Sequence, residues 1–374
     1  MNVAREIVRL FTIKMTLNEI VKQFNINDNI NDISPYGEGH INDTYLVTCD
    51  SNQYILQRIN TKVFPNYYGL MDNIQQVTKF IHSSKNSENS VCLKFYQSSQ
   101  GGLIFKDESG CYRLCDFIKD SYVYQTVEDA SVLEEAGKCI GLFISQLDSF
   151  DASSLCEVIE NFHHTAIRFD TFNKSLKQNK ANRKNNVEKE IEFVLNRKQF
   201  ACEIVSKIDS KELPLRVTHN DTKLNNILFS NTTKKALCLI DLDTIMPGSL
   251  LYDFGDAVRF ACSTAPEDEK DLDKVHFDIS LYESFTKGFL EGIGKNITPL
   301  ELEMLNVGAK MMTFECGMRF LTDYLDGDEY FKVKYAEHNL VRARTQFKLV
   351  YEMEQKEQQM RDIAYKYYSN GGVQ

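Results

Sequence analysis

The sequence predicts an α/β (α+β) protein of two lobes. A small N-terminal lobe built on an antiparallel sheet spans 1–117, and a larger, mainly helical C-terminal lobe spans 118–374. Three observations predict it. A chain of 374 residues, 43% hydrophobic and 26% charged, buries enough apolar surface for more than one core and ordinarily divides. Short alternating runs separated by turn residues crowd the first part of the chain, where period-two alternation marks strands. Beyond the last of these the apolar positions recur mostly at helical spacing.

Val3, Ile7, Val8, Phe11, then Leu17, Ile20, Val21 and Phe24 recur with a helical period and predict one or two opening helices. Tyr36-Gly37-Glu38-Gly39-His40-Ile41-Asn42-Asp43-Thr44-Tyr45-Leu46-Val47 places two glycines in a turn that enters an alternating strand, and Tyr54 to Ile59 is the next strand. Asn66 to His82 reads as a helix and Ser83 to Ser90 as a polar loop. Val91 to Tyr96 and Leu103 to Phe105 read as strands, and Tyr112 to Ile118 as the last strand of the small lobe, running into a hinge. In the second lobe the predicted helices are Val132–Leu147, Asn185–Ile208, Phe277–Leu290, Leu300–Leu325 and a closing stretch, Val333–Tyr368. The Lys- and Arg-rich segment from Lys174 to Lys198 reads as a solvated helix face.

Between those helices lies the segment that carries chemistry. His219-Asn220-Asp221-Thr222-Lys223-Leu224-Asn225-Asn226-Ile227-Leu228 follows a short β-forming run, Arg216-Val217-Thr218, and a second run, Ala236 to Ile240, ends at Asp241 and Asp243. An Asp, an Asn five positions on and another Asp at a strand end are the order in which kinase-like phosphotransferases supply a base and two magnesium ligands. Moving a γ-phosphoryl group asks little covalent chemistry of the protein. It requires an oriented acceptor hydroxyl and neutralised phosphate oxygens. Asp221 is the candidate base. Asn226 and Asp241 offer the hard oxygens that Mg2+ prefers, with ATP phosphates completing the sphere. Asp243 either holds a second ion or supports the first. His219 is expected to hold the loop by packing and hydrogen bonding, because the base and metal roles already have owners. The competing reading is that a short H-x-D followed by Asn arises by chance; the flanking strands weigh against it.

Asp253-Phe254-Gly255 is a decoy for the magnesium triplet of protein kinases, since it lies too far beyond Asp221 for the short hairpin between base and metal loop. Asp253 and Asp256 are expected instead to buttress the catalytic loop by accepting backbone or His219 hydrogen bonds, or to cap a helix through Ala257–Phe260. Upstream, the glycine turn with Gly37, Gly39, His40, Ile41 and Asn42 can lay backbone N–H groups over ATP phosphates. Glycine turns are more often only turns, and the catalytic loop downstream is what gives this one meaning. Arg58 stands where such kinases place a phosphate-binding lysine; the plain alternative is a surface arginine. Asp116 and Ile118, at the hinge, offer backbone groups to adenine.

A formal charge of -10 disfavours nucleic acid or an anionic membrane as a general partner, because either needs a basic face. Ten cysteines occur without a C-x-x-C pair or a Cys/His cluster, which suggests reduced thiols rather than a disulfide framework or zinc site. Arg5, Arg9 and Lys14 interrupt the N-terminal apolar pattern, and no apolar run approaches the ~20 residues of a membrane span. A cytoplasmic protein, a monomer or weak homodimer, is expected.

The segments YGEGHINDTYLV, HNDTKLNNILF, IDLDTIMPGSLLYDFGDAVRF and ECGMRFLTDYLDGDEYF resemble those of N-acetylhexosamine 1-kinases, within the aminoglycoside phosphotransferase and choline kinase superfamily. The resemblance runs from the glycine turn to about residue 335. It implies ATP-dependent phosphorylation of the anomeric hydroxyl of N-acetylglucosamine or N-acetylgalactosamine. It also implies acceptor contacts from Arg319 and Tyr330, with Asp323 a weaker candidate; without the resemblance these would read as a helix salt bridge and a packed aromatic. A buried sugar hydroxyl left unpaired costs about 1–3 kcal/mol, so a directional donor fork and a polar-tipped ring suit such a pocket. Two features depart from the wider kinase pattern. Arg58 replaces lysine, and Asp72 is the sole acidic residue in the helix that would supply its partner. Two alternatives stay open: a kinase of another small alcohol (choline or ethanolamine, homoserine, or an aminoglycoside), and a nucleotide-binding fold without turnover.

Overall fold

The computed structural model of the chain describes residues 15–37, 41–83 and 92–370, which fall into two compact units: 1–78 with 93–119, and 79–92 with 120–374. The first predicted helix therefore lies largely outside the described residues, as do Gly39, His40 and most of the 83–90 loop.

In the first unit, Thr16 caps the short helix α1 (Leu17–Val21) in a reciprocal box with Glu19. Five strands follow: β1 (Ile30–Pro35), β2 (Asp43–Cys49), β3 (Gln53–Arg58) and, after helix α2 (Tyr67–Ser83), β4 (Phe105–Asp107) and β5 (Gly110–Asp116). They form one sheet in the order β1-β2-β3-β5-β4, antiparallel throughout. Alternation sorts the side chains onto two faces. Val47, Tyr54, Leu56 and Leu114 pack with Ile20, Val21 and Phe24 of the α1 region. The other face turns Gln57 and Arg113 toward α2, where Arg113 Nε donates to Gln57 Oε1 at 2.9 Å and a guanidinium nitrogen lies 3.6 Å from Met71 Sδ.

That parity corrects the reading of Arg58. It lies on the α1 face, and its guanidinium is paired with Asp43 directly across the ladder, so it points away from the face that α2 covers. Asp72 accepts from Gln76 (2.8 Å) in its own helix rather than pairing with Arg58. The predicted strand Val91–Tyr96 is reduced, among its described residues, to an isolated bridge from Phe95 to Cys115, and the 103–105 strand is shifted to begin at Phe105.

The second unit contains a three-stranded sheet ordered β6 (Ser121–Tyr122), β8 (Ile227–Ser230), β9 (Ala236–Leu239), and a two-stranded pair of β7 (Arg216–Thr218) with β10 (Met246–Gly248). Its helices are α3 (Ala130–Gln146), α4 (Thr165–Gln178), α5 (Glu188–Leu195), α6 (Lys198–Ala201), α7 (Glu203–Asp209), α8 (Leu250–Ala261), α9 (Ile279–Ile293), α10 (Pro299–Glu303), α11 (Leu305–Asp326), α12 (His338–Gln355) and α13 (Glu357–Asn370). Helices α3 and α9 touch backbone to backbone through facing glycines: a Cβ on Gly137 would lie 2.3 Å from the Phe285 carbonyl oxygen, and one on Gly288 1.8 Å from that of Glu134.

Three long predicted helices are broken. Asn185–Ile208 becomes α5, α6 and α7, because Arg197 turns back to donate to the Phe193 carbonyl and to clasp Glu354 with two bonds of 2.9 and 2.8 Å. Leu300–Leu325 divides at Met304, and the closing stretch starts only at His338 and divides at Lys356, whose ammonium donates to the Phe277 carbonyl (2.6 Å). Helix α4 was not expected from the sequence; it covers the first part of the basic segment read as a single solvated face, and Asn179 ends it in a left-handed conformation.

Candidate active site

Strand β7 delivers the chain into the candidate catalytic loop, which a 3₁₀ turn (Leu224–Asn226) returns to β8. The loop is anchored from beneath by Asp253 in the first turn of α8. Its two carboxylate oxygens accept the backbone N–H of His219 (2.8 Å) and of Asn220 (2.7 Å), while the Asp253 carbonyl accepts from Thr222 Oγ1 at 2.6 Å. Ser249, not Asp253, caps α8. Gly255 lets that helix lie against α11, since a Cβ there would stand 2.3 Å from the Gly308 carbonyl oxygen.

His219 is fully buried. Its Nε2 meets the Ile240 carbonyl at 2.9 Å and its Nδ1 meets the Asp221 N–H at 3.3 Å. A ring that donates from Nε2 and accepts at Nδ1 satisfies both contacts, so His219 joins the loop to the strand that leads to Asp241. Asn226 donates through Nδ2 to the Asp221 carboxylate (2.8 Å) and to its carbonyl (2.9 Å). That leaves its amide oxygen, rather than its nitrogen, turned elsewhere, as a hard-cation ligand needs. The Ile240 N–H donates to the Asn226 carbonyl (2.9 Å), which fixes the Asp241 turn beside the loop. Asp241 is held at φ +59° and Asp243 is buried.

Lys223, which the sequence reading passed over, is the central cation. Its ammonium is 2.9 Å from Asp221 Oδ2. Burial alone would lower its pKa, but Asp221, Asp241 and Asp256 together raise it. Asp256 does not cap a helix. It is bound by Arg259 Nε and Nη2 at 3.1 and 2.9 Å, and although burial pushes its pKa up, Arg259 holds it below the ordinary value. The oxygens of Asn226, Asp241 and Asp243 are of the hard kind that would suit Mg2+. Among the described residues no three His, Cys, Asp or Glu side chains converge as a self-contained metal site; an ion shared with phosphate does not require one.

A second set of charges borders the loop. His163 Nδ1 lies 3.0 Å from Glu315 Oε1 on α11, and Arg319, one turn on, lies 3.8 Å from the same oxygen. Arg168 donates to the Phe162 carbonyl (2.9 Å); its pKa is lowered by burial and then by Arg319. Arg319 faces the rings of Phe162, Tyr330 and Phe331, with Nη2 3.5 Å from the Tyr330 hydroxyl. Asp323 lies beside Tyr330 but is engaged by backbone and amide donors. Its carboxylate is consumed by the N–H groups of Tyr330 (2.8 Å) and Phe331 (2.9 Å) and by Asn339 Nδ2 (2.8 Å), so it shapes the segment that presents Tyr330. His163, Arg168 and Glu315 follow no short spacing rule; Lys223, two positions past Asp221, had a local signal.

In the first unit, Gly37 adopts φ +74°. Asn42 Oδ1 accepts the Asn60 N–H (2.9 Å) and the Ile41 carbonyl accepts Asn60 Nδ2 (3.2 Å), which together tie down the far end of the turn. At the hinge the Asp116 N–H is spent on the Lys94 carbonyl (3.0 Å), and its carboxylate accepts from the Tyr96 hydroxyl (2.5 Å). Ile118 lies two positions past the end of β5 and still within the first unit.

Burial pushes the Asp253 carboxyl up to about 6, against the two N–H donors that favour its ionised form. An unfolded Asp titrates near ~3.9, so the folded protein holds this proton more tightly. The resulting stability is fully present below about pH 4 and is lost as pH rises through about 6. Between pH 4 and 7 the wild type should therefore lose on the order of 2 kcal/mol relative to Asp253→Asn. Urea midpoints of both proteins at the two pH values measure this, and parallel curves would contradict it.

The fold and this loop define a kinase-like phosphotransferase of two lobes, with an antiparallel sheet in the small lobe and mostly helices in the large one. More particularly, the chain belongs to the phosphotransferase enzyme family, whose profile matches residues 32–283. Solved structures share the fold at low identity. A spectinomycin phosphotransferase in complex with ADP and spectinomycin is 12% identical, with TM-score 0.54 over 94% of this chain and 97% of that one. The choline kinase of Cryptosporidium parvum Iowa II is 14% identical (TM-score 0.55; 92% and 96%). The ethanolamine kinase of Plasmodium vivax is 12% identical (0.55; 88% and 85%). No helix among the described residues is long and apolar enough to cross a membrane.

Proposed function

We propose that this protein transfers the γ-phosphoryl group of ATP to the anomeric C1 hydroxyl of an N-acetylhexosamine, N-acetylglucosamine or N-acetylgalactosamine, in the cytoplasm. Asp221 orients the hydroxyl and takes its proton as the bond to phosphorus forms. Lys223, already beside Asp221, offsets the charge that builds on the transferring oxygens. Asn226 and Asp241 would hold Mg2+, with Asp243 in support; the ion would supply charge neutralisation at the phosphates. The glycine turn at Gly37 and the hinge at Asp116 and Ile118 are the proposed nucleotide contacts of the small lobe. Arg319 and Tyr330 are the proposed acceptor contacts.

The observation that carries the choice of a neutral acceptor is the charge beside the loop: Arg168, Arg319 and His163 surround one carboxylate, Glu315. A cationic alcohol such as choline, ethanolamine or an aminoglycoside would meet the Arg168 and Arg319 guanidinium groups there. A neutral polyol with donors and acceptors would not.

The test is ADP release across N-acetylglucosamine, N-acetylgalactosamine, glucose, choline, ethanolamine, homoserine and kanamycin, with the product identified by phosphorus NMR. The N-acetylhexosamines are expected to exceed the cationic acceptors by about 100-fold or more in kcat/KM. Turnover confined to choline, ethanolamine or kanamycin would overturn the sugar assignment. Absence of turnover with every acceptor, alongside retained ATP binding, would point to a catalytically silent fold.

A further inference from the structure

The peptide that leads into Asp221 is heavily tethered. Asn220 has φ +64°, in the left-handed region that residues other than glycine occupy uncommonly, asparagine more readily than most. Its surroundings hold it there. The Asn220 N–H donates to Asp253, and its side-chain Nδ2 donates to the Thr244 carbonyl at 2.8 Å. Its carbonyl, which belongs to the same peptide plane as the Asp221 N–H, faces Nε2 of His163 at 3.4 Å. The first two contacts fix the entry to Asn220; the third acts on the plane from which the Asp221 side chain departs.

His163 is built into this place. It is 8% exposed, its ring packs at 4.4 Å from Phe162 and 5.3 Å from Tyr252, and Nδ1 is held by Glu315. The group facing Nε2 is a backbone carbonyl, which only accepts, so Nε2 is the donor in that contact. Glu315 Oε2 has no hydrogen-bond partner among the described residues, which leaves the contact to His163 as its short one. Burial would raise the pKa of Glu315, but His163, Arg319 and Arg168 hold it low and therefore ionised.

We propose that His163 is a positioning residue for phosphoryl transfer: by donating from Nε2 to the Asn220 carbonyl it holds the catalytic peptide so that Asp221 is presented in one orientation. The proposal rests on the reading above, in which Asp221 is the base. It also joins the loop to α11, the helix that carries Arg319.

Two backgrounds test it. Glu315→Gln removes the buried charge while its amide can still donate to Nδ1, leaving Nε2–H free to serve Asn220; its kcat is the reference against which the double variant is read. Adding His163→Phe to that background keeps a ring in the same space but removes the donor. There kcat should fall by about 10- to 100-fold, the scale of a misplaced catalytic group. The KM for ATP and for the acceptor should stay within about threefold, and peptides covering residues 218–222 should exchange backbone hydrogen faster by mass spectrometry. A general loss of packing would instead raise both KM values and speed exchange across α4 and α11. Full kcat with unchanged exchange in the double variant overturns the assignment, as does a Glu315→Gln variant that loses as much as the double one. The acceptor used is whichever of the panel turns over fastest. An error in the sugar assignment then appears in the panel, and an error about His163 in the ratio of variants.

Discussion

Asp221→Asn is expected to fold as the wild type does and to lose turnover by about 10²- to 10⁴-fold, the range for removing a general base. Folding should survive because the loop does not depend on the Asp221 carboxylate. Its shape is set by Asp253, by His219 bridging to Ile240, and by Thr244 Oγ1 on the His219 carbonyl (2.6 Å). The substitution is isosteric and replaces a carboxylate oxygen that now accepts from Asn226 and pairs with Lys223. Its consequence is chemical: an amide cannot take the acceptor's proton, and Lys223 loses its nearest counter-charge. Single-turnover assays should show the loss in the chemical step while the KM for ATP moves little. A variant with near wild-type kcat would remove Asp221 from the mechanism and leave the loop as a binding element only.

Gly288→Val is expected to be the most damaging single change to the fold. At the crossing of α3 and α9 a Cβ at this position would stand 1.8 Å from the Glu134 carbonyl oxygen and 2.7 Å from its carbon. Those atoms are backbone and have no rotamer to move. The same holds for Gly137, Gly141 and Gly292, whose added Cβ atoms would meet opposing backbone at 2.3, 2.3 and 2.2 Å. Each glycine in a helix interior costs about 1 kcal/mol against alanine, and four at one crossing persist because nothing larger lets the helices meet. A valine would force them apart and expose the buried faces that include Ile140, Ile144, Phe285 and Phe289. The expected loss is about 3 kcal/mol or more, at or above the usual range for overpacking. Urea midpoints would show it, or the protein would fail to accumulate in soluble form. Leu142→Ala, on the exposed side of α3, is the control and should change stability by less than ~0.5 kcal/mol. Equal melting of Gly288→Val and wild type would mean the crossing is looser than its backbone distances state.

What the sequence made legible was local placement: Asp221, Asn226 and Asp241 sit on consecutive short strands and turns, where spacing alone brings segments back beside one another. Asp253 accepts the His219 and Asn220 N–H groups and His219 reaches Ile240, whereas Asp256, read alongside Asp253, pairs with Arg259 instead. What spacing could not reveal was partnership across the fold. His163 reaches Asn220 from 57 positions away and Glu315 from 152, and no local pattern encodes such a distance. Arg58 shows the same limit at short range. Its place in the sequence suggested a phosphate contact, but one step of strand alternation put it on the other face, with Asp43. The helix predicted over Asn185–Ile208 kept its apolar period, yet Arg197 found Glu354 on α12 and the chain turned there.

The amino-acid sequence by itself determined the class of protein, a two-lobed member of a phosphotransferase family, because hydrophobic period and the Asp–Asn–Asp spacing are local properties that survive any detail of packing. Only the tertiary structure decided which charges stand beside the His219–Asn226 loop, that the Asp323 carboxylate accepts from Tyr330, Phe331 and Asn339, and that α3 and α9 meet backbone to backbone. Those outcomes depend on the close approach of distant segments, where burial and geometry act together and no single stretch of chain carries the information.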